Sequence, residues 1–84
     1  MRICWSKSAR EDYLYFSDND PYRLNKINNL IHDIFKSPFS GIGNPTPIKC
    51  EYLGYWSRRI DIVNRLIYRF DNDVLYIAQC KYHQ

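Results

Sequence analysis

The spacing of apolar residues near the start of the chain predicts a short strand followed by a helix. "RICW" alternates polar and apolar positions, as in a strand with one buried face. Ala9, Tyr13 and Phe16 then recur at helical spacing as far as "SDND". Ser8 precedes Glu11 by three residues, which is the spacing of a capping box. We therefore expect the first helix to begin at Ser8.

A stronger helical pattern follows from residue 20. Pro21 suits the first turn of a helix, and Asp20 is the expected cap. The apolar stripe, which Leu30 borders, consists of Leu24, Ile27, Ile31, Ile34 and Phe35. The polar positions expected to face away from it are Asn25, Asn28, Asn29 and Asp33. The pattern predicts a two-helix hairpin with one buried side.

The second half of the chain reads as strands. "KSPFSGIGNPTP" ends the helices, because its three prolines and two glycines suit neither period. The predicted strands are "IKCEYL", "YWSRRIDI", "RLIYRF" and "VLYIAQCKYH", with the turn "DND" before the last. The order β-α-α-β-β-β(-β) predicts one α+β domain over residues 1–84, an antiparallel twisted sheet with both helices on one face. Regular alternation along the last strand would place Ile77, Gln79, Lys81 and His83 on one face.

Composition narrows the class of protein. The chain has 84 residues, of which 45% are hydrophobic, so a single packed core is expected. It contains no apolar run of membrane-spanning length, about 18 residues, and starts without a signal-peptide pattern. The cysteines Cys4, Cys50 and Cys80 are odd in number and lack C-x-x-C spacing, which favours reduced thiols in a cytoplasmic protein. We expect no metal or other cofactor, and His32 is expected to be an ordinary helix histidine.

Positive charge is concentrated in the second half, although the net charge is only +3. The cluster consists of Arg58, Arg59, Arg65 and Arg69, with Lys49 upstream and Lys81 downstream. Such a cluster among tyrosines indicates an anionic partner, most often nucleic acid. A solvated sheet face, with these arginines paired to Asp61, Asp71 and Asp73, explains the charge equally well.

The motifs resemble one protein family over the whole chain. "GIGNPTPIK", "GYWSRRI", "NRLIYRF" and "IAQCKYHQ" are similar to segments of the YoeB/Txe toxins of the RelE/ParE superfamily. "DYLYF" and "KINNLIHDI" in the helices match as well. The resemblance implies a RelE-like, microbial-ribonuclease-like fold and a type II toxin that cuts messenger RNA in the ribosomal A site. The implied partners are a YefM/Axe-like antitoxin with an acidic tail over the active face, the ribosome with its A-site messenger, and a second copy of the chain.

The resemblance also assigns roles to particular residues. Cleavage of RNA through its own 2′-hydroxyl needs a base, cations near the phosphorus and an acid for the leaving oxygen. His83 matches the family's general acid, and Arg65 matches the arginine that stabilises the transition state. Arg59 and Lys49 match cations that line the same site. Arg58, on the opposite face by alternation, is expected to be structural or to contact the ribosome.

Three departures from the family pattern bear on activity. Thr46 stands where the family has the glutamate that is the presumed general base, and Gln84 replaces a terminal tyrosine. Val63 and Asn64 stand where an acid usually precedes the R-L-x-Y motif. Loss of a general base costs ~10²–10⁴-fold in rate. We therefore expect an attenuated nuclease.

Two residues could supply the missing base. Glu51 would share a face with Lys49 if the segment is extended, and Lys49 itself could act as a neutral amine. An inactive toxin that still binds the ribosome or the antitoxin is the alternative function. A ParE-like inhibitor of DNA gyrase is a third reading, but such toxins lack the terminal C-x-Y-H arrangement.

Overall fold

The computed structural model of the protein describes residues 2–49 and 53–82. Two helices, α1 and α2, follow a first strand, and four further strands complete the sheet. The elements are β1 (Arg2–Trp5), α1 (Lys7–Asn19), α2 (Pro21–Lys36), β2 (Thr46–Pro47), β3 (Trp56–Arg59), β4 (Arg65–Asp71) and β5 (Val74–Gln79). This order confirms the predicted α+β class.

The sheet has the order β1-β5-β4-β3-β2 and is antiparallel except at one edge. There β1 runs parallel to β5, so the sheet is mixed. Antiparallel direction is imposed where a short turn joins two strands, as between β4 and β5. No such turn joins β1 to β5, because two helices and three strands lie between them along the chain.

The first helix begins at Lys7, one residue earlier than predicted. Ser6 is the cap, and its hydroxyl accepts a hydrogen bond from the Ala9 amide at 3.1 Å. The same hydroxyl donates to the Ala78 carbonyl at 2.7 Å, which ties the helix to β5. The predicted start at Ser8 is wrong because this contact with β5, invisible in the local sequence, selects Ser6.

The second helix follows its pattern closely. Asp20 accepts a hydrogen bond from the Arg23 amide, and Pro21 opens the helix, as predicted. Leu30 is only 4% exposed, so it belongs to the buried face rather than to its border. The core between helices and sheet contains Ala9, Phe16, Ile27, Leu30, Ile31, Ile34, Ile60, Leu66, Tyr68, Leu75, Ile77 and Cys80.

A buried arginine ties the loop after α2 to the sheet. Arg58 is fully buried and donates to the Asp33 carboxylate at 2.6 Å. It also donates to the carbonyls of Ser37 (2.6 Å), Ser40 (2.9 Å) and Ile42 (3.1 Å). Of the two roles expected for Arg58, these contacts confirm the structural one. The expectation that Asp33 faces away from the core is wrong, because its carboxylate completes this cluster.

Two groups that Arg58 contacts have shifted pKa values, for different reasons. The Arg58 guanidinium holds the pKa of the Asp33 carboxyl below its usual range. Burial raises the pKa of Tyr68, whose hydroxyl donates to the Pro38 carbonyl at 2.7 Å and accepts from Arg58. The loop is thus held by side chains from both β3 and β4.

The loop meets β3 at a position that requires glycine. Gly43 has φ +80°, and its carbonyl accepts from the Arg59 amide at 2.7 Å. An added Cβ would lie 2.8 Å from the Leu30 side chain and 3.1 Å from the Arg58 Cβ. Both the backbone conformation and the close packing therefore exclude a larger residue.

The next strand lies earlier in the chain than predicted. β2 is formed by Thr46 and Pro47, within the segment expected to be irregular. One further backbone bond, from the Ile48 amide to the Tyr55 carbonyl at 2.9 Å, extends the contact with β3. Proline is tolerated here because β2 is an edge strand. The part of the predicted strand "IKCEYL" from residue 50 to 52 lies outside the described residues.

The last strand is interrupted by a bulge. Tyr68 pairs with Ile77 but Ile67 pairs with Gln79, which leaves Ala78 without an opposite residue. Ile77 is buried in the core, whereas Gln79 lies across from Ile67 on the other face. The predicted common face for Ile77 and Gln79 is therefore wrong, since one extra residue inverts the alternation. β5 ends at Gln79, and His83 lies outside the described residues.

The described cysteines are free. Burial raises the pKa of the Cys80 thiol to about 12, and this thiol donates to the Ala9 carbonyl. Cys4 is half-buried, and Cys50 lies outside the described residues. Neither described helix is long and apolar enough to cross a membrane.

Candidate functional site

The sheet has an open face, the side that the helices do not cover. In β4, Leu66 and Tyr68 are fully buried against the helices, so Arg65, Ile67 and Arg69 point the other way. Residues opposite each other in neighbouring strands share a face. By this register the open face carries Thr46, Ser57, Arg59, Arg65, Ile67, Arg69, Asp71, Val74, Tyr76 and Gln79, and the Tyr55 ring lies beside Arg69.

Two of the predicted site residues, Arg59 and Arg65, lie directly opposite each other on this face. Both are exposed, and Arg65 donates to the Ser57 hydroxyl at 3.3 Å. Within residues 2–49 and 53–82, no ion pair neutralises either one. Like charges at directly opposite positions destabilise a sheet. Such a pair is well suited to hold an anion such as a phosphate, with two planar guanidinium groups.

The sequence also allowed for a sheet face whose arginines are paired with acids. Among the described arginines of the open face, only Arg69 has such a partner. Arg69 makes a long, exposed contact with Asp71 at 3.4 Å. Asp61 instead pairs with Arg23 at the start of α2. Among the residues that the structure describes, no acid therefore neutralises Arg59 or Arg65.

Thr46 lies next to this cationic pair. It is opposite Ser57, the residue whose hydroxyl contacts Arg65, and is therefore on the open face. Its own hydroxyl donates to the Asn44 carbonyl at 3.0 Å. Asn44 is in the left-handed conformation, with φ 54°. The position expected to carry a carboxylate thus holds a hydroxyl that is engaged in a local turn.

The other predicted site residues are described only in part. Lys49 is exposed and follows β2 along the same edge of the sheet. Glu51, His83 and Gln84 lie outside the described residues. Val63 is 59% exposed in the turn before β4.

Asn64, which the sequence marked only as a departure from the family pattern, binds the backbone of Tyr82. Asn64 is buried, and its side-chain oxygen accepts from the Tyr82 amide at 2.9 Å. Its side-chain nitrogen donates to both carboxylate oxygens of Asp61, at 3.2 and 3.0 Å. The chain is therefore fixed one residue before His83, beside the first residue of β4. An asparagine can make these contacts because it has both a donor and an acceptor.

Asp61 organises the turn that contains Asn64. Burial by itself raises the pKa of the Asp61 carboxyl. Hydrogen bonds from Asn64, Arg23 and Val63 outweigh this and hold the pKa well below its usual range. Asp61 is therefore charged at neutral pH and supports the turn from which β4 begins.

Aromatic rings accompany the third arginine of the open face. The Arg69 guanidinium lies 4.1 Å from the ring centre of Tyr76 and 5.9 Å from that of Tyr55. A hydrogen bond with Tyr55 is the main reason why the pKa of Arg69 is raised. Charge clustering indicated Arg69, but Tyr76 comes from β5 and Tyr55 from the segment before β3, and neither was identified from the sequence.

A groove of about 560 Å³ opens on the helix side of the same edge. It lies between α2 and the segments around Ile42 and Ile60, with Lys26 and Asp61 at its border. Arg59 lines it too, but Arg65 does not. The groove therefore touches the cationic pair at one end only, and the flat open face is the better candidate for a polymeric substrate.

Within the described ranges no three His, Cys, Asp or Glu side chains are grouped as a metal site would require. His32 is exposed on α2. The chemistry that these residues can supply is charge stabilisation by arginine.

Comparison with known proteins gives concordant matches. The sequence model of the family described as "YoeB-like toxin of bacterial type II toxin-antitoxin system" matches residues 5–84. Toxin YoeB of Escherichia coli K12 is 45% identical over 83 residues, which cover 99% of either chain. Toxin RelK of Mycobacterium tuberculosis H37Rv is 44% identical over 81 residues, covering 96% of this chain and 95% of the relative.

Solved structures match equally well. A YoeB–YefM heterotetramer from Staphylococcus aureus has a TM-score of 0.96 at 42% identity, covering 100% of this chain and 98% of that one. A YoeB dimer from the same organism has a TM-score of 0.92 at 42% identity with the same coverage. YafQ from E. coli has a TM-score of 0.76 at 18% identity, covering 99% and 94%, and shares the fold alone.

Proposed function

This chain belongs to the YoeB-like toxins of bacterial type II toxin–antitoxin systems, and we propose that it is a ribosome-dependent endoribonuclease that cuts messenger RNA in the A site. YoeB- and RelE-family toxins are endoribonucleases. The observation that carries the proposal is the Arg59–Arg65 pair, directly opposite on the open face and without an ion-pair partner among the described residues. A sheet gains nothing from this arrangement unless an anion binds there.

The reaction uses the RNA's own 2′-hydroxyl. This hydroxyl gives its proton to a base, for which Glu51 is the first candidate, and its oxygen bonds to phosphorus while the bond from phosphorus to the 5′-oxygen breaks. The departing 5′-oxygen takes a proton from His83, which leaves a cyclic phosphate and a free 5′-hydroxyl. Arg65 and Arg59 hold the phosphate oxygens and stabilise the charge that develops on them, and Lys49 adds a third cation. The bond from Tyr82 to Asn64 supports the role of His83, since it restrains the preceding residue beside β4.

The general base is missing at the position where the family carries a glutamate, Thr46 in this chain. Threonine does not titrate near neutral pH, and the Thr46 hydroxyl already donates to Asn44. The rate is therefore reduced by about 10²–10⁴-fold relative to a site with a working base. Glu51 is the first candidate to replace it and Lys49 the second.

The partners follow from charge and from the relatives. An acidic antitoxin segment of the YefM kind binds the open face, because it neutralises the opposed arginines. The staphylococcal relatives form a YoeB–YefM complex and a YoeB dimer, and we extend both assemblies to this chain. The antitoxin complex blocks cleavage by covering Arg59 and Arg65.

An inactive toxin that occupies the ribosome or binds the antitoxin is the second candidate, and Thr46 is the observation that favours it. Primer extension on ribosomes programmed with a defined messenger separates the two. The proposal expects A-site cuts by the wild-type chain that disappear in Arg65→Ala and His83→Ala and increase in Thr46→Glu. Lys26→Ala on α2 is the control and should cut like wild type. Ribosome binding without any cut at large protein excess would instead establish the binding module.

A further inference from the structure

Tyr55, Arg69 and Tyr76 form a row across the open face, from the segment before β3 to β5. Arg69 and Tyr76 are opposite each other in register. Arg69 is four residues from Arg65, which corresponds to about 13 Å along a strand. Ile67 lies between the two arginines on the same face. The row is therefore separate from the cationic pair, but an extended single strand bound at that pair could continue onto it.

The contacts within the row leave Arg69 able to bind a ligand. The guanidinium lies 4.1 Å from the Tyr76 ring centre, which is a stacking distance, and its side chain is 35% exposed. Its contact with Asp71 is 3.4 Å long and Asp71 is 60% exposed, so this pair is weak. The tyrosines hold the guanidinium in place, and the weak pair with Asp71 leaves much of its charge available.

A purely structural role is the competing explanation, since cross-strand pairs stabilise hairpins. The β4–β5 hairpin has other supports, however. Asn72 and Asp73 have φ of 50° and 61°, the left-handed conformations that close a tight hairpin turn. On the opposite face Leu75 is fully buried, and Phe70 packs in a T-shaped contact against Phe35. The hairpin therefore has supports other than the pair between Arg69 and Tyr76.

We propose that Tyr55, Arg69 and Tyr76 form a subsite that stacks on and holds single-stranded RNA next to the cleaved nucleotide. Aromatic rings and arginine planes bind unpaired bases with little sequence preference, and the arginine also attracts the backbone phosphate. The subsite rests on the proposed function for its substrate. It contributes to binding and not to the chemical step.

The test combines RNA binding with cleavage kinetics. Binding of a fluorescein-labelled single-stranded RNA is measured by anisotropy for wild type, Arg69→Gln, Tyr76→Leu and Tyr76→Phe. The matched controls are Lys26→Gln and Tyr22→Leu on α2, where a cation also lies over a tyrosine ring but on the helix side. These controls remove the same charge or the same ring from a surface that the proposal leaves unused.

The subsite predicts a loss of affinity of about 5- to 100-fold for Arg69→Gln and Tyr76→Leu. Tyr76→Phe retains the ring and should bind like wild type, a rescue that a lost hydroxyl contact would not give. For Arg69→Gln the slope of log affinity against log salt should fall by about 0.7. On programmed ribosomes KM should rise while kcat stays at the wild-type value.

The subsite is overturned if Arg69→Gln and Tyr76→Leu bind RNA as the α2 controls do. It is also overturned if Tyr76→Phe binds as weakly as Tyr76→Leu, or if kcat falls and KM does not change. Failure of the proposed function gives a different result, namely RNA binding with the predicted variant pattern but no cleavage by any chain. Urea unfolding midpoints equal to wild type confirm that the variants are folded.

Discussion

Arg58 and Arg59 are consecutive in sequence, but their side chains point to opposite faces of the sheet and should behave oppositely when replaced. Arg58 is fully buried, and it contacts a carboxylate, three backbone carbonyls and the Tyr68 hydroxyl. Arg59 is exposed opposite Arg65. Arg58→Ala should therefore lower the free energy of unfolding, whereas Arg59→Ala should lower the rate of RNA cleavage.

The magnitude for Arg58→Ala follows from what it leaves behind. The carbonyls of Ser37, Ser40 and Ile42 lose a buried donor, and Asp33 loses its counter-ion. Removal of one partner from such a buried pair costs about 3–5 kcal/mol. The whole free energy of unfolding expected for 84 residues is about 4–13 kcal/mol. The variant should thus lose a large part of its stability.

Urea unfolding followed by circular dichroism measures this loss. At a slope of about 1–2 kcal/mol/M, the midpoint for Arg58→Ala should fall by roughly 1.5–5 M. The midpoint for Arg59→Ala should correspond to a change within about 0.5 kcal/mol, as for exposed sites. Cleavage by Arg59→Ala should fall by about 10²-fold, since a phosphate contact is lost.

Two further variants separate the contributions at Arg58. Arg58→Met keeps most of the volume and isolates the hydrogen bonds from the cavity. The double variant Arg58→Ala with Asp33→Asn should lose less than the sum of its single variants, because the two residues interact directly. The reasoning is refuted if Arg58→Ala unfolds at the wild-type midpoint, or if Arg59→Ala shifts the midpoint as far.

Three further predictions concern pH, the C-terminal segment and the glycine of the loop. The pKa values of Asp33 and Asp61 are lowered in the folded state, so their contribution to stability is complete above the unfolded value of about 3.9. It is lost as pH falls through the folded values. Urea midpoints should be level from about pH 7 to 5 and fall below about pH 4, more shallowly in Asp61→Asn; an equal fall in that variant would contradict the assignment. Asn64→Ala should lower kcat by up to about 100-fold with little change in KM, because Tyr82, the residue before the proposed acid His83, loses its hydrogen bond to Asn64. An unchanged kcat on programmed ribosomes would count against this role. Gly43→Ala should lower the free energy of unfolding by at least about 1–2 kcal/mol, because the φ of Gly43 is +80° and the Leu30 side chain blocks an added Cβ. Urea unfolding measures this loss, and a wild-type midpoint would show that the loop adapts.

Much of the fold could be predicted because the relevant signals are local. The prediction for the second helix was correct in its cap, its first turn and most of its buried face, since a helix of this length is specified by its own periodicity. The "DND" turn correctly placed the last hairpin. The α+β class followed from the order of these patterns.

The errors arose where a distant contact decided between local alternatives. Ser8 has the capping-box spacing to Glu11, but Ser6 is the cap, and its hydroxyl also donates to the distant Ala78 carbonyl. The bulge at Ala78 inverts the alternation of β5 beyond Ile77. Asp33 was assigned to the solvent side because nothing near it in sequence reveals Arg58.

In the candidate site, too, the sequence identified single residues, whereas the contacts between them depend on the fold. Motifs identified Arg59 and Arg65 individually, but only the register of β3 against β4 makes them direct neighbours. The roles of His83 and Glu51 remain predictions from the sequence, since both lie outside the described residues. Tyr76 was not connected with Arg69 from the sequence, although the pairing follows once the turn is known to consist of Asn72 and Asp73.

The sequence by itself determined the family, the helices, the strand-rich second half and the residue types available for chemistry. Periodicity, caps and motifs are properties of residues that are close in sequence, so they can be recognised before the fold is known. The tertiary structure decided which charges are neutralised and which are not. Arg58 is neutralised by Asp33 in the core, while Arg59 and Arg65 face solvent together. Charges interact through space, so only the packed sheet determines which of them meet.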